Sequence, residues 1–117
     1  MPSRWKYLEM ELLSAERAEG SGHDQESFRH LERAHILGQS STYQHVRVHW
    51  HMLRWAITQR DCGEFLGQIL RIAGVAVATP VGLVPAGNTG GSNVSPFRRM
   101  AIPADLAARL PPSKKRA

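Results

Sequence analysis

Apolar residues recur at helical spacing along the first 78 residues of this chain, and the pattern stops at Thr79. Trp5, Leu8, Leu12 and Ala15 fall at i, i+3, i+7 and i+10, one face of a helix, and Gly20-Ser21-Gly22 ends the run. That predicts a first helix over 3–19. A second is expected over 25–38, capped by Asp24 or Ser27, with Phe28, Leu31, His35 and Gln39 sharing a face before Gly38-Gln39-Ser40-Ser41 interrupts it. Thr42 is the expected cap of a third helix running to Arg60. A fourth follows Asp61, with Phe65, Leu66, Ile69, Leu70, Ile72 and Ala73 as its apolar set. Connections this short make consecutive helices antiparallel neighbours, so the fold class is all-α, a compact four-helix arrangement.

Beyond residue 78, Pro80, Gly82, Pro85, Gly87, Gly90, Gly91, Pro96 and Pro103 exclude long regular elements. Val81, Leu83, Val84, Val94, Phe97 and Ile102 supply apolar anchors, which predicts an extended wrap lying across the helices. Asp105 is the expected cap of a short last helix, Leu106 to Leu110, stopped by Pro111-Pro112. Residues 1–110 then form a single helical domain, followed by a basic disordered tail over 111–117.

Fifteen Lys and Arg against ten Asp and Glu give +5, of which Lys114, Lys115 and Arg116 in the tail carry three. A nearly balanced body gives nucleic acid little to bind. The single Cys62 rules out an intrachain disulfide and any CxxC site, and the glutamates that follow Trp5 leave no apolar run for a signal peptide. Both point to the cytoplasm. The run from Phe65 to Pro85 is interrupted by Gln68, Arg71 and Pro80 and is too short for a membrane span; it is expected to be a buried helix and a loop.

The positions of the six histidines carry more information than their number. On the third helix His45, His49, Met52 and Ala56 fall on one stripe beside Val48, Leu53 and Trp55, the inward side. His51 points the other way with Arg47, Arg54 and Thr58. On the second helix His35 shares the face of Phe28 and Leu31, with Glu32 one turn back, and His30 faces away. Packing the two faces together brings His35 and Glu32 toward His45 and His49.

Neutral imidazole is a common ligand for transition metals, and an i, i+4 histidine pair presents two nitrogens to one ion. The expected site is one ion, zinc or copper, held by His35, His45 and His49, with Glu32 or Met52 as a fourth ligand. Glu32 and His35 also form an E-x-x-H of the kind di-iron helical proteins use twice, but it occurs once here. Glu9, Glu11, Glu16 and Glu64 are the candidates for further carboxylates, with Glu16 placed near the core by its spacing from Leu12. Buried histidines also form purely structural networks, which Glu32 and Gln39 could complete, and in that case the chain is a helical protein–protein interaction module using the exposed face of Arg47, His51 and Arg54.

Other features point to weaker chemistry. Ala86-Gly87-Asn88-Thr89-Gly90-Gly91-Ser92-Asn93 is rich in glycine but lacks the lysine of a phosphate-binding loop and follows no strand. A tight turn in which Asn88, Thr89 and Asn93 bond their own backbone is the expected role. Cys62 has no histidine partner for catalysis and is expected to be a partly buried, inert thiol. A helix-turn-helix with Arg47, Arg54 and Arg60 toward phosphate finds little support in the charge. A three-histidine ion with an open position could activate water, but no separate general base or substrate pocket is evident, so an enzyme ranks third.

Leu31-Glu32-Arg33-Ala34-His35-Ile36-Leu37-Gly38-Gln39, the stretch His45 to Leu53, Gly67-Gln68-Ile69-Leu70-Arg71-Ile72 and Val84-Pro85-Ala86-Gly87-Asn88-Thr89-Gly90-Gly91 resemble a small bacterial family of unknown function over most of residues 25–106. The resemblance implies a short, mainly helical cytosolic protein associated with heavy-metal resistance gene clusters. It transfers no site residue.

Overall fold

The computed structural model describes residues 3–78, 87–92 and 98–110, with side chains as far as residue 76 in the first stretch. These contain α1 (Arg4–Gly20), α2 (Asp24–Gly38), α3 (Thr42–Gln59), α4 (Cys62–Ala78) and the one-turn α5 (Ala104–Ala107), with no strand among them. The four long helices are those expected from the periodicity. Consecutive helices pack on each other, and α5 lies on α2. The arrangement is serial: α2 and α3 form the centre, α1 flanks α2 and α4 flanks α3, with no direct packing of α1 on α4.

The links explain the tight packing. Gly22, with φ +79°, ends α1 while the His23 N–H returns to the Ala18 carbonyl at 2.8 Å, the left-handed glycine closure that satisfies the last helical carbonyls. Between α3 and α4 only Arg60 and Asp61 intervene: Arg60 takes the left-handed conformation, the Asp61 N–H reaches the Ala56 carbonyl at 2.9 Å, and Asp61 Oδ1 accepts from the Glu64 N–H at 2.9 Å. One helix is therefore closed and the next capped by adjacent residues.

The core comprises Leu8, Leu12, Ala15, Leu31, Ala34, Ile36, Leu37, Val48, Met52, Trp55, Ala56 and Leu106. Phe28 tilts against Trp55 with ring centroids 4.6 Å apart, and the Trp55 indole N–H donates to the Asp24 carbonyl at 3.0 Å. Charged groups tie the periphery. Glu11 accepts from Arg33 Nε at 2.9 Å, Arg33 also holds Asp105 on α5, and Arg47 spans from α3 to Glu9 on α1.

Several local expectations are corrected. Ser41, not Thr42, caps α3, accepting the Gln44 N–H at 3.3 Å. Neither Asp24 nor Ser27 caps α2: Asp24 is its first residue, and Ser27 is buried and donates to the Ala15 carbonyl at 2.8 Å, a packing bond between helices. The last helix is Ala104–Ala107, with Pro103 flanking it and accepting the Ala107 N–H at 2.9 Å, and Asp105 in its first turn. Cys62 is exposed. Most importantly, α4 is not buried all round: Leu66, Ile69 and Leu70 are exposed. Of the proposed wrap, Ile102 packs on the core and Leu106 enters it; Val81, Leu83, Val84, Val94, Phe97 and the tail over 111–117 lie outside the described residues.

Candidate metal centre

The short link Gln39–Ser41 lays α3 back along α2, and the inward stripes predicted for the two helices meet. His35, His45 and His49 come together there, none more than 3% exposed. The His35 ring stands edge-on to the other two, with centroids 4.5 Å from His45 and 4.7 Å from His49, while His45 and His49 stack 5.0 Å apart at 28°. The Nε2 atom of His35 lies 2.8 Å from that of His45 and 3.1 Å from that of His49. One ligand atom from each ring falls within 4.8 Å of the others.

What surrounds the rings decides where their protons are. His35 Nδ1 sits 2.6 Å from the Asn88 carbonyl, a group that only accepts, so that nitrogen carries the hydrogen. His49 Nδ1 faces Gln68 Oε1 at 2.5 Å. The orientation of the Gln68 amide follows from its network: its Nε2 donates to Glu64 Oε2 at 2.5 Å and to the Gly90 carbonyl at 2.9 Å, two acceptors that require the NH₂ end. Its oxygen is therefore left for His49, whose Nδ1 must donate. His45 bonds the backbone of Gln39. Each ring thus spends a proton on an outside partner, and the Nε2 lone pairs turn toward one another.

Charging any ring here is costly. Burial pushes His45 down to about 3, with His49 adding repulsion and the Gln39 bond opposing. Burial likewise takes His49 down to about 4, the Gln68 bond resisting and Arg71 adding to the shift. His35 falls well below the usual imidazole range, first through burial, then through His49 and His45, against the Asn88 bond. The cluster is neutral near pH 7.

The outer shell comes from α4 and the glycine loop. Glu64 accepts from the Ser92 N–H and hydroxyl at 3.1 Å as well as from Gln68, and Arg71 donates to the Gly91 carbonyl. Asn88 Oδ1 accepts the Gly90 N–H at 2.9 Å, the local turn expected of this loop. Gly90, with φ +85°, lies flat on His35: a Cβ there would stand 2.5 Å from the ring's Cδ2. No side chain other than hydrogen fits.

Of the other predicted residues, Glu32 is half-buried beside the loop. Burial raises its carboxyl pKa, the Thr89 bond opposes this, and the Glu64 charge adds to it. Met52 is wholly buried in the apolar core. Glu16 is exposed, a correction to its expected place near the core; Glu11, one turn earlier, is the buried carboxylate of α1 and bonds His30 at 2.7 Å, far from a ligand role in the triad. His51 lines a groove of about 310 Å³ with Arg47, Arg54 and Thr58, on the side its helical angle predicted. Gln68, Asn88, Gly90 and Arg71 were not anticipated as site residues. A signal existed for two of them: Glu64, Gln68 and Arg71 fall at i, i+4 and i+7, one polar stripe in an otherwise apolar helix.

The fold and this centre define an all-helical domain with a buried histidine triad. The chain belongs to the family described as a protein of unknown function, DUF3703, whose model matches residues 3–110. Neither a curated protein nor a solved structure matches it.

Proposed function

We propose that the chain binds one transition-metal ion through the Nε2 atoms of His35, His45 and His49, and that it buffers, delivers or senses that ion in the cytoplasm. One observation carries the reading: three imidazole nitrogens converge while their outward partners hold the ring protons elsewhere. Lone pairs at 2.8 and 3.1 Å repel unless a cation lies between them. Zinc–nitrogen bonds of about 2.0–2.1 Å in a tetrahedron separate the nitrogens by roughly 3.3 Å, so the His35–His45 and His35–His49 pairs, at 2.8 and 3.1 Å, need to open by only about half an ångström or less.

The ligand atoms brought together are those of the three histidines; Glu32, one turn before His35 and bonded to Thr89, would have to turn inward to supply a fourth ligand to zinc, and Met52, one turn after His49, would have to do so for copper, whose softer monovalent form favours a thioether. The carboxylate of Glu64 offsets the nearby charge of Arg71, which otherwise opposes a cation. Acceptors behind the ligating rings fix tautomer and orientation, the usual outer shell of metal-bound histidine.

A shared proton is the rival occupant and would make the triad a structural network. Burial works against it, since each ring resists charge far more strongly than free imidazole does.

Elemental analysis of the chain purified without an affinity tag, followed by titration with zinc and copper(I), tests the proposal. About one ion per chain is expected, lost in His45→Ala and His49→Ala, and Gln68→Leu weakens binding roughly 10–100-fold by releasing the His49 tautomer. Wild-type protein without bound or titratable metal overturns the reading. So does a His49→Ala chain that loses stability but keeps its metal content.

A further inference from the structure

Helix α4 is arranged inside out. Its charged residues, Glu64 and Arg71, and its amide, Gln68, serve the histidine cluster, while Cys62, Gly63, Leu66, Ile69, Leu70 and Ala73 face away from the molecule. Surface helices normally present the reverse pattern. Leu66 is 60% exposed, Ile69 45% and Leu70 74%. Gly63, Leu66, Leu70 and Ala73 follow one another at steps of three, four and three, the spacing of a coiled-coil seam in which two large positions are flanked by small ones.

We propose that this face of α4 pairs with the same face of a second copy of the chain. Neighbouring α3 adds Trp50 and Ile57, exposed at 55% and 57% and one heptad apart. Together these five large side chains offer on the order of 600 Å² per copy, close to the roughly 800 Å² per partner of a stable interface. α3 and α4 pack on each other, and an exposed apolar area of this size stands at the upper end of what a monomer presents. Charge selects the occupant. A helix that lies on anionic lipid flanks its apolar face with Lys and Arg, but the only basic residue of α4, Arg71, is directed at the Gly91 carbonyl. On the outer face of α4 an acidic or basic protein partner would likewise find nothing to pair with, the nearest exposed charge of the stripe being Arg54 on α3 between Trp50 and Ile57, whereas an identical apolar seam is its own complement.

The pairing is independent of the metal, and it is tested on the metal-free full chain by sedimentation equilibrium with chelator present. Wild-type protein at about 10 µM is expected to be a two-chain species, and Leu66→Glu and Leu70→Glu to be single chains with unchanged helicity, since neither side chain is buried. Met10→Glu, an exposed site on α1, which does not touch α4, leaves the pair intact. A wild type that remains single at about 100 µM overturns the proposal and assigns the face to another occupant, such as residues 79–86 of the same chain or, if it co-floats with neutral phosphatidylcholine vesicles, a membrane. A pair that survives both leucine substitutions overturns it as well.

Discussion

His30 and His35 sit five residues apart on α2, about 140° around the helix, and meet opposite surroundings. His30 turns toward α1, where its Nδ1 lies 2.7 Å from a carboxylate oxygen of Glu11, and Arg33 takes the other oxygen at 2.9 Å. His35 turns toward α3 and meets a backbone carbonyl and two more imidazoles, with no carboxylate bonded to its ring. The Glu11 carboxylate joins α1 to α2 through both His30 and the Arg33 guanidinium. A carbonyl partner selects the tautomer of a ring that stays neutral and leaves its second nitrogen free to act as a donor of electrons. One helix therefore bears a clamp that uses charge and a centre that excludes it.

Acid separates the two most strongly. Unfolded histidines take up protons near pH 6.5, while in the folded, metal-free chain His45 and His49 resist until about 3 and 4, and His35 is also held low. Between those limits the unfolded chain binds more protons, so stability is complete above about pH 6.5 and declines as pH falls. His45 and His49 each cost on the order of 2 kcal/mol by pH 5, which together is a large share of the stability of a small domain. Urea unfolding of metal-free protein between pH 7.5 and 5 is expected to show a steep fall in midpoint, reduced in His45→Ala. A flat profile would mean that the triad already shares a proton at neutral pH, and the contrast between the two histidines would collapse.

Glycine substitutions are expected to act next most strongly. At Gly90 the φ of +85° and the His35 ring 2.5 Å from the added Cβ penalise alanine twice, through backbone strain and through displacement of the ring, together about 3 kcal/mol. Gly20, near the end of α1, has nothing within 4 Å of an added Cβ, so alanine there is neutral or stabilising by about 0.5–1 kcal/mol. Chemical denaturation of the two variants sharpens the comparison, because only Gly90→Ala is expected also to weaken metal binding. Equal effects would show that the loop does not hold His35.

Helical periodicity was enough to find the triad: a spacing of four placed His45 and His49 on one side of α3, and the position of His35 relative to Leu31 placed it opposite. Each conclusion needed only the 100° turn per residue and a short link. The outer shell was harder to foresee because its hydrogen bonds join residues far apart in sequence, Asn88 to His35 across 53 positions and Gln68 to His49 across 19. Composition gave the glycine loop flexibility but not a destination. Helix α4 misled because its apolar residues indicate burial by some surface, and hydrophobicity alone does not say whether that surface belongs to the same molecule. Caps shifted by one residue for a related reason: Ser41 and Thr42 offer equivalent hydroxyls, and the backbone entering α3 decides between them.

The smallest expected effect lies at the clamp, where Glu11→Gln keeps the shape and removes the charge. Arg33 retains Asp105, and the pair is open to solvent on the Arg33 and His30 sides, at 29% and 27% side-chain exposure. A partly exposed ion pair of this kind contributes about 1 kcal/mol or less and is weakened by salt. The variant should therefore lose little stability at low ionic strength and almost none at about 1 M salt, where a Debye length of roughly 3 Å screens the wild-type pair as well. Metal binding should not change, since Glu11 bonds no residue of the triad or its shell. A loss of about 3 kcal/mol that persisted in salt would show that Glu11 is anchored by desolvated bonds, as Glu64 is beneath the loop. Both flanks of α2 would then depend on buried polar networks, and neutrality alone would no longer distinguish the histidine centre from the rest of the helix.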